Sequence, residues 1–292
     1  MLNIKRILLP IDIPIDVPIN CLDVIHQAAI LAHHFNSQII MLHVVTAQSS
    51  DAGVPNDKRA WASWDMLAVI EREAKDQGDS SIGPALQGLS IRSELAEGEV
   101  AEVIVQTAEQ EKVDLIMMPS YSRTFDAFLM GSVTAKVLNG TERPVWTGAH
   151  VQRSQEQKLA IRNVLAAVEF GPRADVTVSW AAQITAEFGA RLTLANVTAS
   201  AEYWGPGGDY VDEKLKDQLV RDASEQMSTL QQATGVKADV FIGSGHVPKV
   251  LSQAAKQTNA DLLVTGTYPY GGQLRTHGYG IICAVQIPVL SV

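Results

Sequence analysis

The residues best suited to chemistry in this chain follow an apolar run ending at Met118: Pro119, then Ser122-Arg123-Thr124, then Gly131-Ser132. A Gly-Ser pair that opens a helix offers backbone N–H groups and the positive end of the helix dipole, an arrangement that favours anions. Arg123 adds a fixed positive charge to the same stretch. Taken singly, Gly131-Ser132 reads better as a helix start with no ligand, Arg123 as a surface charge, and Asp12 as a solvated carboxylate capping the next helix. The histidines are weaker candidates. His26 and His33 lie seven apart on one helical pattern with His34 adjacent, and they read as an exposed helix face, because a zinc site usually adds Cys or carboxylate at set spacing. His43 reads as a packed strand residue and His246 as the neighbour of a helix cap. The chain has no G-x4-G-K-[S/T] loop, G-x-S-x-G elbow or paired Cys or His motif, so nothing in it argues for catalysis.

The elements that position these residues are written twice. Gly98 and Gly245, Val103 and Val250, and Asp114 and Asp261 are each 147 positions apart, so the block from 98 to 118 recurs without insertion or deletion. Outward from it, Arg6 to Asp12 aligns with Asn163 to Glu169, Phe35 to Val44 with Phe188 to Val197, and Arg143-Pro144-Val145-Trp146 with Ile287-Pro288-Val289-Leu290. A period of half the chain suits two copies of one domain rather than a solenoid. The expected domains are 1–151 and 158–292, joined by the polar stretch 152–158. Apolar runs predict strands at 7–11, 38–45, 91–95, 114–118 and 144–147, repeated at 164–168, 191–197, 237–242, 261–265 and 288–292. Helical patterns lie between them, such as Val100, Val103, Ile104, Thr107 and Ala108. Alternating strands and helices predict an α/β class with two doubly wound, five-stranded parallel sheets, whose ligands gather beyond the carboxyl ends of the strands where strand order reverses.

At 292 residues and 46% hydrophobic, the chain can fill two ordinary cores. Its 23 basic and 32 acidic residues give a net charge of −9 without a Lys/Arg cluster, which argues against a nucleic-acid partner. Asp12, Asp16 and three prolines interrupt the apolar start, and no run approaches the roughly 18 residues of a membrane span. Cys21 and Cys283 occupy non-equivalent places and read as idle thiols in a reducing compartment. The expectation is a soluble cytoplasmic protein with no membrane partner.

Several pieces, in this order and met twice, resemble the universal stress protein family in its tandem form. They are Lys5 to Asp12, the strand end Leu42-His43-Val44, the strand Asp114 to Met118, and Gly131 to Leu138 leading to Arg143-Pro144-Val145. The resemblance implies strand order 3-2-1-4-5 in each half, pairing of the two domains through their last strands, and association of chains into a homodimer. The unpaired edge that Pro144-Val145-Trp146 and Pro288-Val289-Leu290 would otherwise leave is a physical reason for such pairing. It further implies that Pro10, Asp12 and Val44 stand where nucleotide-binding members hold adenine and ribose, and that Ser122, Arg123, Gly131 and Ser132 stand near the phosphates of ATP or another adenine nucleotide.

The phosphate motif of those members, G-x2-G-x9-G-[S/T], is eroded here. Pro119 and Ser122 replace its leading glycines, and only eight residues separate Ser122 from Gly131. Proline lacks an N–H and serine resists positive φ, so phosphate contacts are lost. The second half departs further. Ala167 and Glu169 replace Pro10 and Asp12, and Gly266-Thr267 leads into Tyr268-Pro269-Tyr270-Gly271-Gly272. Asp261 to Pro288 is 27 positions against 30 from Asp114 to Pro144, and no Gly-Ser pair reopens the helix. The reading is therefore a stress-response binding or scaffold module with a degraded nucleotide motif. Two alternatives stay open: an ATP-binding switch or slow ATPase in the first half, and a pocket for an apolar small ligand in the second. Tyr203 to Gly208 reads either as a cover for that pocket or as a glycine-rich connection with its aromatics tucked inward. Trp61, Trp64 and Leu67 read as a buried helix face.

Overall fold

The computed structural model describes residues 2–11, 19–46, 65–76, 78–119, 132–148, 160–199, 202–205, 208–267 and 277–292. The chain divides into two compact units between Leu159 and Ala160. Asp12, Ser122, Arg123 and Gly131 lie outside the described residues, as do Trp61 and Trp64.

The first unit runs β1 (Arg6–Pro10), α1 (Ile19–Phe35), β2 (Gln38–Val45), α2 (Met66–Asp76), α3 (Ile82–Leu86), β3 (Ser90–Glu97), α4 (Val100–Gln110), β4 (Leu115–Met118), α5 (Ser132–Gly140) and β5 (Val145–Thr147). Its strands lie in the order β3-β2-β1-β4-β5, all parallel. Strands covered on both faces must be apolar throughout, and Ile7, Leu8, Leu9, Ile39, Ile40, Met41 and Leu42 are fully enclosed. In α4 the buried face is Ala101, Ile104, Thr107 and Ala108, the 3.6-residue stripe expected of a helix packed on a sheet. In α2 it is Met66, Ile70 and Ala74, with Leu67 half-buried beside them.

The second unit runs β6 (Asn163–Ala167), α6 (Ala174–Phe188), β7 (Arg191–Thr198), β8 (Glu202–Gly205), β9 (Gly208–Val211), α7 (Glu213–Thr234), β10 (Asp239–Ser244), α8 (Val247–Gln257), β11 (Leu262–Thr265), α9 (His277–Ala284) and β12 (Val289–Ser291). Its sheet has the same order, β10-β7-β6-β11-β12, again parallel. β8 and β9 form an antiparallel hairpin with Glu202 opposite Val211 and Gly205 opposite Gly208. The stretch expected as a glycine-rich connection thus carries paired strand at 202–205 and at 208–211.

The duplicated block owes its constancy to backbone demands. Asp114 accepts hydrogen bonds from the N–H groups of Lys5 (2.7 Å) and Arg6 (2.9 Å), and Asp261 accepts them from Arg162 (2.9 Å) and Asn163 (3.0 Å). Each carboxylate ties the start of the central strand to the start of its neighbour and sets the register there. Just before each Asp the chain turns through a left-handed residue, Lys112 (φ 49°) or Asn259 (φ 48°). The strand-to-helix turns use Gly98 (φ 149°) and Gly245 (φ 117°), backbone angles that residues with a Cβ rarely adopt.

Candidate functional site

In the first half, Pro10 ends β1 opposite Leu42 of β2, and Ile11 N–H donates to the Leu42 carbonyl (2.8 Å). Val44 lies two residues beyond Leu42 on β2 and is nearly buried. His43 is 1% exposed, and its Nδ1 lies 2.9 Å from the Ile11 carbonyl. A carbonyl only accepts, so Nδ1 carries the proton and the imidazole pins two strand ends together. Ser132 is exposed at the first position of α5. Of the expected nucleotide residues, the structure therefore sets Pro10 and Val44 on adjacent strand ends and Ser132 at a helix start.

The first half also holds a Ser, a His and an Asp in contact, at His26 on α1 and at Asp79 and Ser81 before α3. Ser81 Oγ donates to Asp79 Oδ1, and Ser81 N–H donates to the same oxygen (2.8 Å). His26 Nε2 lies 3.3 Å from Asp79 Oδ2 and 3.1 Å from Ser81 Oγ. The serine proton is directed at the carboxylate rather than at the imidazole, so this is a turn fastened to a helix and not a nucleophile with its base. Burial pushes the Asp79 carboxyl up, but the Ser81 hydroxyl and amide, with His26, outweigh it and hold it below the usual carboxylate value. His33 contacts the Ala85 carbonyl of α3 (3.0 Å). His33 and His34 are exposed, as expected of this helix face, while the His26 and His33 contacts also join α1 to the segment before β3. Among the described residues, no group of three His, Cys, Asp or Glu side chains could hold a metal ion.

The second half carries a cleft of ≈270 Å³ at the carboxyl ends of β6, β7 and β11, where strand order reverses. Ala167, Val168, Ala195, Val247, Leu251 and Ile281 form its apolar walls. Glu169 and Arg173 line it too, as do Thr177 of α6, Asn196 of β7 and Thr265 of β11. Asn196 repeats the first half's strand link: its Nδ2 donates to the Val168 carbonyl (2.8 Å), as His43 does to Ile11. Among the described residues, its Oδ1 is left as an acceptor. Gly266 lets the Thr177 hydroxyl come close, since a Cβ at 266 would sit 2.8 Å from Thr177 Oγ1. Beyond it, Thr267 holds the last strand, its N–H (2.6 Å) and Oγ1 (3.1 Å) both donating to the Val292 carbonyl.

Sequence reasoning singled out Glu169 and Gly266 here but not Thr177, Asn196 or Thr265. They are ordinary residue types scattered over three elements. The signal that could have found them is the repeat itself, because Val24, His43 and Met118 stand at the equivalent places in the first half. Elsewhere the second half drops a link the first half makes. Glu99 accepts from the Glu102 N–H at the start of α4 (2.9 Å) and from Lys136 Nζ of α5 (2.7 Å). The hydrogen bond and charge of Lys136 hold the Glu99 carboxyl below its usual value. At the corresponding α8–α9 contact the residues are His246, which makes no side-chain capping bond, and Gly280, where an added Cβ would lie 2.8 Å from Pro248. There a close apolar approach replaces an ion pair.

Comparison with known proteins agrees with this duplicated architecture. A model described as the Universal stress protein family matches residues 3–147 and again 160–276. A universal stress protein of Methanocaldococcus jannaschii is 28% identical over 144 residues, covering 48% of this chain and 79% of the relative. A solved universal stress protein from Archaeoglobus fulgidus aligns with a TM-score of 0.66 at 19% identity, covering 98% of this chain and 97% of that one. A functionally unknown protein from Pseudomonas aeruginosa aligns with a TM-score of 0.67 at 16% identity, covering 99% and 92%. At such identities the two solved structures speak for the fold, while the family model spans both repeats. The chain belongs to the universal stress protein family, as a tandem of two of its domains.

Proposed function

We propose that this protein is a stress-response binding module, and that the strand-end cleft of its second half is where it holds a small molecule. The observation that carries the reading is the cleft's composition: apolar walls around Thr177, Asn196 and Thr265, at the place where open α/β sheets accept ligands. Such a site can orient a ligand and report its presence to the surface. The test is native mass spectrometry of the unheated, full-length protein, followed by a thermal-unfolding screen. A small molecule should co-purify or stabilise the fold. A ligand at 100 times its dissociation constant adds about 2.7 kcal/mol. Gly266→Ala, which places a methyl group against Thr177, should abolish that gain. A protein that carries nothing and gains nothing from any compound in the screen would remove the reading.

A second reading, a nucleotide-dependent switch or slow ATPase in the first half, draws support from Pro10 and Val44 on neighbouring strand ends and the exposed Ser132 opening α5. Eroded glycines argue that ATP binds weakly there if at all. Stabilisation by ATP with magnesium that disappears in Arg123→Ala and Ser132→Ala would favour this reading over the first. A cytoplasmic location and a homodimer belong to the same proposal, and the native mass of the intact protein tests the dimer.

A further inference from the structure

The second-half cleft differs from its counterpart in one chemical respect that bears on what it holds. Thr177 is 4% exposed, and Asn196 and Thr265 are each 8% exposed, yet among the described residues no protein group takes up Thr177 Oγ1, Thr265 Oγ1 or Asn196 Oδ1. Other helical threonines in this half close on their own backbone, as Thr185 does on Ala181 O (2.7 Å) and Thr258 on Ala254 O (2.9 Å). Buried polar atoms without partners cost free energy, so a floor with three of them favours an occupant that satisfies them. At the equivalent places of the first half stand Val24 and Met118, which have no hydrogen-bonding hydroxyl, and His43, whose Nδ1 is spent on Ile11.

Resting on the binding role proposed above, we infer that this cleft is selective for a small, uncharged ring compound that brings an N–H or O–H donor to the Thr177–Asn196–Thr265 floor. Size supports a ring. An engineered cavity of about 150 Å³ admits benzene, so the ≈270 Å³ here accommodates a substituted or fused ring. Charge supports neutrality. Glu169 and Arg173 contribute one formal charge of each sign to the lining, and the buried floor has only hydroxyls and an amide, which cannot offset the desolvation of an ion. Polarity supports a donor, because Asn196 Oδ1 can only accept and each threonine oxygen accepts as readily as it donates.

The experiment compares indole with its hydrocarbon isostere indene and with AMP, using ligand-observed NMR titration of the intact chain. Variants T177V and T177V/T265M give the second half the first half's residues at these positions, and circular dichroism melting checks that both fold. The unmodified protein should bind indole at least tenfold more tightly than indene, as expected for one buried hydrogen bond made or forfeited. T177V/T265M should erase that preference while keeping indene affinity within about threefold. Should the double variant melt early, T177V alone is read, and it should narrow the preference by severalfold. Equal binding of indole and indene, or tighter binding of AMP, overturns the donor-selective floor but leaves the binding role standing. Absence of binding by all three overturns the ring-selective cleft, and if no molecule co-purifies either, the binding role falls with it.

Discussion

In the first half, the positions equivalent to the second half's cleft floor are held by buried Val24, His43 and Met118. At the same three places the second half carries Thr177, Asn196 and Thr265. Both halves keep the backbone bonds around that floor: Ile11 N–H to Leu42 and Val168 N–H to Ala195, each 2.8 Å, and a side chain reaching back to the residue after the first strand. What persisted through duplication is therefore the hydrogen bonding that holds strand ends together, and what diverged is the chemistry facing any ligand. The aromatic packing diverged with it. Trp146 of β5 donates to Gln27 of α1 (2.7 Å), whereas Leu290 and Trp180 occupy those positions in the second half, so the indole has moved from strand to helix. A core constrains volume and polar satisfaction more than residue identity, which permits such exchanges.

The largest effect expected from breaking this comparison lies in what the halves share. Asp114→Ala and Asp261→Ala each strip the acceptor from two strand N–H groups, and each should cost about 3 kcal/mol in urea unfolding. Equal losses would support the shared role. A loss in one half alone would show that the two carboxylates have separate duties.

Gly266→Ala should come next, destabilising by about 1–3 kcal/mol because its methyl group meets the buried Thr177 hydroxyl. Gly148→Ala, in the first half, meets only Val24 at 3.7 Å and should cost less than Gly266→Ala in the same thermal melt. A reversed order would contradict the close approach assigned to Thr177.

A smaller effect distinguishes the halves by pH. The Asp79 carboxyl is lowered in the folded state, so the stability it contributes is complete above its ordinary value near 3.8 and is lost as pH falls through the lower folded value. Asp79→Asn should remove about 1 kcal/mol at neutral pH and flatten the acid limb of unfolding for the first half. An unchanged acid limb would sink the idea that this carboxylate fastens α1 to the turn before α3. The smallest effect concerns Glu99, whose replacement by Ala removes the cap of α4 and should cost about 0.5 kcal/mol. His246→Ala, at a position that makes no side-chain capping bond, should change the melting point of the second half much less.

Much of the architecture was legible because it rests on local pattern. Short continuous apolar runs such as Leu115–Met118, bounded by helical patterns, suit a doubly covered strand, and strand boundaries fell within two residues of those expected, as at β3, which runs Ser90–Glu97 against 91–95. The hairpin of β8 and β9 escaped because a short aromatic stretch next to Gly-Pro-Gly-Gly satisfies both a turn and a loop reading until its partner strand is known. His33 and His34 are exposed, as a solvated helix face requires, but spacing along a helix could not tell that His26 and His33 also contact the segment before β3. The cleft was the least legible part. Thr177 and Thr265 belong to elements separated by 88 positions, and no motif joins them.

From the sequence by itself came the duplication, the alternation of strands with helices, and the departure of Pro119 and Ser122 from the glycine motif of the family it resembles. Each depends on which residues follow one another, and steric limits on the backbone make such order readable. Tertiary structure alone decided that a helix threonine, a strand asparagine and a strand-end threonine line one cleft, their side-chain oxygens unspent among the described residues. That outcome follows from how layers pack across a reversal in strand order, where neighbours in space are strangers in sequence.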